Sequence, residues 1–162
     1  MRGSGMMADE RAERHFREGV AALKGGNPVE AVAQFEAAIE ADQVPDDVQN
    51  RSRYLSYYGL SLALAHRPSD YAIRACAKAV AADPLDPTFR HNLVTVYLLA
   101  GKTSKALANV ERGLRLAPTN SRLKAHLANL DRRKTPAIPR LSRDHPLNRW
   151  LGRLRASVEA PR

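Results

Sequence analysis

"YAIRACAKAVAADP", residues 71–84, sets a pattern that recurs on both sides of it. A small residue, Ala72, is followed four positions later by Cys76, three after that by Ala79, and then by the apolar Val80. The same order appears in "EAVAQFEAAIEAD" (30–42), with Ala31, Phe35, Ala38 and Ile39, and in "KALANVERGLRLAP" (105–118), with Ala106, Val110, Gly113 and Leu114. Self-similarity at a fixed period is the sequence signature of a repeat array, in which each unit buries its apolar face only against its neighbours. Small residues at these places let two helix backbones approach closely where they cross.

Each of these stretches follows another amphipathic one: "AERHFREGVAALKGG" (12–26), "SRYLSYYGLSLALAHR" (52–67) and "FRHNLVTVYLLAGK" (89–102). The key alanines Ala31, Ala72 and Ala106 are 41 and 34 residues apart. Pro84 and Pro118 end their helices, because proline has no amide to continue the ladder. This pattern resembles the tetratricopeptide repeat family, whose unit is a 34-residue helix–turn–helix. The first repeat carries it in Gly19, Ala31, Phe35 and Ala38, although Glu18 and Ala22 stand where leucine and tyrosine are usual. The second carries it in Tyr58, Gly59, Leu62, Ala72, Ala79 and Pro84, with Cys76 in an aromatic slot. The third carries it in Leu93, Tyr97, Gly101, Ala106 and Pro118, with Val94 in a glycine position; the family tryptophan is missing from all three.

The resemblance implies an all-α superhelix of three helix pairs over residues 8–118, at about 9–43, 46–85 and 87–120. Seven extra residues separate the first two alanines; "QVPDDVQN" (43–50) is expected to absorb most of them as a loop or an Asp-capped helix start, and "AHRPSDYA" (65–72) one more. "TNSRLKAHLANLDRRK" (119–134) has an Asn/Ser start and leucines at helical spacing, so it reads as a capping helix over the last exposed face. "TPAIPRLSRD" (135–144) reads as a linker, and residues 145–158 as a further amphipathic helix. Residues 1–7 are expected to stand outside the fold as an added or disordered leader.

That last helix contains "LNRWLGRLR" (147–155) and the single tryptophan. Leu147, Trp150, Leu151 and Leu154 fall at i, i+3, i+4 and i+7, on one face, with Arg149, Arg153 and Arg155 on the others. Burying the four apolar side chains would contribute about 6–12 kcal/mol, and ordering the segment costs a similar amount. It is therefore expected to need a preformed surface: its own repeats, a partner, or an anionic lipid surface, for which Leu and Trp opposite Arg is suitable chemistry.

Composition limits the remaining readings. The chain has 162 residues, 44% apolar and 27% charged, with a net charge of +9, which suits a globular protein. Cys76 is the only cysteine, which rules out an internal disulfide or a multi-cysteine metal cage. No apolar run reaches the roughly 18–20 residues of a membrane span, and the first 15 residues lack a secretory apolar core, so the cytoplasm is the expected compartment. Residues 8–43 carry 4 basic and 8 acidic side chains, whereas 132–162 carry 9 and 2, so the tail supplies most of the excess charge. Arginine outnumbers lysine 20 to 6, a usage that fits a GC-rich bacterial genome. One tryptophan without aromatic neighbours makes a poor stacking platform, so no specific nucleic-acid binding is expected.

No phosphate-binding glycine loop, H-E-x-x-H pair or nucleophile elbow occurs. His15, His66, His91, His126 and His145 lack metal-ligand spacing, and Cys76 reads as an inert core thiol. The expectation is a protein that is no enzyme, holds no cofactor or metal, and binds a protein or peptide. The family resemblance implies a concave groove lined by Glu13, Phe16, Val20, Leu23 and Lys24, then Arg53, Ser56, Leu60, Ala63 and Leu64, then His91, Thr95, Leu98 and Leu99. In the best-known variant, lysine, asparagine and arginine clamp the C-terminal carboxylate of heat-shock chaperones. Phe16, Val20, Leu60, His91 and Thr95 occupy those clamp positions here, which implies an apolar groove and no chaperone-tail clamp. Two alternatives stay open: a chaperone for a hydrophobic secreted client, and a peripheral membrane adaptor anchored by the last helix.

Overall fold

The computed structural model of the protein describes residues 3–42 and 48–134. Among them are seven α-helices: α1 (Gly3–Lys24), α2 (Pro28–Ala41), α3 (Val48–Ala65), α4 (Asp70–Ala82), α5 (Pro87–Leu99), α6 (Thr103–Leu116) and α7 (Ser121–Lys134). α1 is helical from Gly3 onward.

Local chemistry accounts for the helix ends. Pro28 and Pro87 occupy first-turn positions, where the missing amide costs nothing. Asn27 Oδ1 accepts from Glu30 N, Ser69 Oγ from Ala72 N, Asp86 Oδ1 from Thr88 N and Phe89 N, and Asn120 Oδ1 from Leu123 N. α4 and α6 stop two residues before Pro84 and Pro118. Between α1 and α2, and again between α5 and α6, three residues suffice because Gly26 (φ 77°) and Gly101 (φ 69°) take the left-handed conformation. There Asn27 N donates to Ala22 O at 2.9 Å and Lys102 N to Tyr97 O at 2.9 Å. The α3–α4 turn lacks such a glycine and spans four residues, 66–69, ending on the Ser69 cap. This is the one-residue lengthening expected in "AHRPSDYA". Residues 43–47, expected to absorb the rest, lie outside the described residues, as do the linker and the amphipathic segment 145–158.

Each helix packs on the next, and α1, α3, α5 and α7 also pack on one another in that order, whereas α2, α4 and α6 do not touch. The first helices of the pairs thus form a close-set inner layer and the second helices a splayed outer one, which curves the stack with the inner layer concave. At each crossing, volume is divided differently. A Cβ on Gly19 would lie 2.7 Å from Phe35 Cε1; a Cβ on Gly59 would lie 2.7 Å from both Ala72 O and Cys76 Sγ. In the third pair Val94 replaces the glycine, and the residue facing it is reduced to Val110; both are fully buried. Burial holds the Cys76 thiol up at about 12, and its Sγ donates to Ser56 O, so it is a neutral core thiol.

Candidate functional site

The concave surface is the inner layer of α1, α3 and α5, completed by α7. The fourteen positions implied by the repeat pattern separate there into three groups.

Phe16, Ser56 and Ala63 are interior side chains, a correction to their expected place in the groove. Phe16 is the hub of an aromatic cluster, with ring centroids 5.6 Å from Phe35, 5.4 Å from Tyr54 and 5.2 Å from Tyr57. Ser56 is fully buried because Asn92 Nδ2 donates to its Oγ across the α3–α5 contact at 3.1 Å. Ala63 lies in the α3–α4–α5 core with Ala72, Cys76, Leu93 and Val96. Each was assigned by repeat register alone, and large or polar partners on the adjacent helix draw it inward.

The second group is charged or polar and internally compensated. Arg53 pairs with Glu13 of α1, and its guanidinium lies 4.5 Å from the Phe16 ring centroid, so its charge is held by a carboxylate and a π face. Its Nη2 also donates to Asn50 Oδ1 at 3.0 Å. His91 on α5 and His126 on α7, 35 residues apart, meet with Nδ1 and Nε2 3.0 Å apart. Thr95 Oγ1 donates to His91 O at 3.0 Å and lies 3.4 Å from His126 Nε2. Burial, then His126, then Arg122 pull His91 down to about 4, and burial lowers His126 as well. Near neutral pH both imidazoles are uncharged, and one can donate the single proton between them. Among the described residues no three His, Cys, Asp or Glu side chains converge on a metal-sized site.

The third group, apart from Lys24, is apolar, and all of it is at least partly open. Val20 and Leu23 of α1, Leu60 of α3 and Leu98 of α5 are half-buried against the core clusters below them. Leu64 and Leu99 are each 45% exposed, and Lys24 is exposed at the end of α1. Leu147, Trp150, Leu151, Leu154, Arg149 and Arg153 lie outside the described residues.

Helix pairs stacked with an inner and an outer layer, crossing at small residues and closed by a seventh helix, define a tetratricopeptide repeat fold. Comparison with solved structures gives the same class: the chain is similar to the Arabidopsis OM64 TPR domain, with 21% identity, a TM-score of 0.64, and coverage of 77% of this chain and 98% of that one. It is also similar to the first TPR of Spaghetti (RPAP3) bound to the HSP90 peptide SRMEEVD, with 18% identity, a TM-score of 0.63, and 76% and 95% coverage. A third similar structure is the second TPR domain of human RPAP3 in complex with the HSP70 peptide SGPTIEEVD, with 17% identity, a TM-score of 0.60, and 78% and 98% coverage. No protein-family profile and no curated protein sequence matches the chain significantly.

Proposed function

We propose that the protein is a non-enzymatic adaptor that binds an apolar peptide or amphipathic helix along its concave face. The observation that carries this reading is the character of that face. Val20, Leu60, Leu64, Leu98 and Leu99 are open to varying degrees, while Arg53 is neutralised by Glu13, His91 and His126 stay uncharged, and Lys24 stands at the end of α1. An open apolar strip on a curved repeat surface is a ready seat for a helix presenting residues at i, i+3, i+4 and i+7. Two structural neighbours with this fold are bound to peptides, SRMEEVD and SGPTIEEVD. Those peptides end in acidic residues, whereas the clamp positions here hold Phe16, Val20, Leu60, His91 and Thr95, so an apolar ligand fits better than a terminal carboxylate.

The chain itself contains a segment of suitable chemistry, residues 145–158, joined by a short linker that gives it a high effective concentration. Self-occupation that a partner displaces is therefore part of the proposal. A peptide of residues 145–158 added to isotope-labelled residues 1–134 should shift the resonances of Leu60, Leu64, Leu98 and Leu99. Shifts confined to the outer helices, or none, would reject the groove. Binding of the full chain to anionic vesicles with the groove resonances unmoved would favour the peripheral membrane adaptor, and co-purification of an unstable apolar client would favour the chaperone reading.

A further inference from the structure

The outer face carries a second feature of opposite character. Because α4 and α6 do not touch, a depression of about 590 Å³ remains between them, within the usual size range of small-ligand sites. Arg90 of α5 lines it from beneath, Arg112 and Arg115 of α6 from one side, and Val80 and Leu116 supply apolar wall. Among the described residues no acidic side chain lines it.

Arg90 is the informative residue. It is only 3% exposed, and the built Cβ of Gly113 would lie 2.4 Å from its Cδ, so the stem is clamped across α6. Its Nη2 donates to Pro84 O at 2.7 Å. Among the described residues no carboxylate lies within ion-pair distance of Arg90, Arg112 or Arg115. The acids nearest to Arg90 in sequence, Asp83 and Asp86, already accept backbone amides of the α4–α5 turn and the α5 cap, and Glu111, beside Arg112 on α6, neither lines the depression nor pairs with an arginine among the described residues. Counting back four residues from the crossing, Arg90 in α5 corresponds to Leu55 in α3, so the fold itself is satisfied there by an apolar side chain. Arg115 in the last turn of α6 complements the helix dipole. That does not account for a buried guanidinium under two more, since burial and Arg112 both disfavour the charge on Arg90.

We infer that the depression between α4 and α6 is a binding site for a phosphoryl group carried on an apolar body, gripped by Arg90, Arg112 and Arg115 against Val80 and Leu116. Guanidiniums present paired donors that match phosphate oxygens, and a dianion offsets their mutual repulsion. The site is independent of the concave groove and does not rest on it.

The test is calorimetric titration of the full chain with phenyl phosphate and with inorganic phosphate, at matched ionic strength. Phenyl phosphate should bind saturably and more tightly than inorganic phosphate. Arg112→Ala and Arg115→Ala, both of exposed residues, should each weaken it about tenfold, the scale of one charge-assisted hydrogen bond. Arg51→Ala, an exposed arginine on α3, should leave it unchanged. Absence of saturable binding, or equal losses in all three variants, would overturn the site. Equal affinity for the two ligands would overturn the apolar part of the assignment. Arg90→Leu, which keeps an apolar stem, separates folding from binding: the helical circular dichroism should persist while phenyl phosphate affinity falls at least as far as in Arg112→Ala, and unchanged affinity would count against the site.

Discussion

The first and third helix pairs share a backbone plan and solve it with different side chains. In the first, Gly19 admits Phe35, and Phe16, Tyr54 and Tyr57 close an aromatic cluster over which Arg53 is laid and paired with Glu13. In the third, Val94 and Val110 share the crossing, the buried cluster is aliphatic, the imidazoles stay neutral, and arginines stand on the outer side without ion-pair partners among the described residues. What the repeat specifies is the summed volume at the crossing and its small residue; the identity of the rest is free, and function can occupy that freedom.

The steepest test of this comparison is at Gly59, between the two extremes. A leucine there would drive its Cβ into the Ala72 carbonyl, which is backbone and cannot rotate away. Gly59→Leu should therefore lower unfolding free energy by about 3 kcal/mol or more in chemical denaturation. The division of volume can be tested by exchange. Val110→Phe should overpack the third crossing at a cost of about 1–3 kcal/mol, and adding Val94→Gly should restore part of it. A double-mutant cycle should show favourable coupling of about 1 kcal/mol; strict additivity would mean that the two positions do not share one space. A smaller effect is expected at the α3–α5 polar seam, where Asn92→Ala removes the donor to buried Ser56 and should cost about 1–2 kcal/mol.

A pH dependence is expected where the third pair meets α7, and it tests the comparison without a change of packing. The folded state disfavours protonation of His91, so the unfolded state binds more protons between the ordinary histidine value of 6.5 and about 4. Stability should therefore fall as pH drops through 6.5 and level off below about 4. His91→Gln should flatten that window in thermal melts recorded against pH, whereas a pH profile unchanged by the substitution would place the titration elsewhere.

The three alanines, the glycines of the first two crossings and the helix-ending prolines made the repeat fold legible in the sequence, because backbone approach leaves a local and periodic mark. The lengthened α3–α4 turn was legible from the 41-residue spacing of Ala31 and Ala72. Partnerships across long separations left no such mark. His91 and His126 read as scattered histidines until two inner helices bring them together, and nothing in the sequence singles Arg90 out among twenty arginines until Gly113 lets α6 close over its stem. Phe16, Ser56 and Ala63 were placed in the groove by register, but Phe35, Asn92 and Cys76 on facing helices give them interior company.

The central claim is that the concave face seats an apolar helix, and Trp150, the single tryptophan, reports on it directly. Its emission and its accessibility to an aqueous quencher should be compared in the full chain and in a Leu64→Lys/Leu99→Lys variant, whose substitutions fall on exposed positions that leave the core intact. The account predicts blue-shifted, protected emission that persists on dilution in the wild type and becomes red-shifted and freely quenched in the variant. Emission that is protected equally in both chains, or exposed in both, would contradict it.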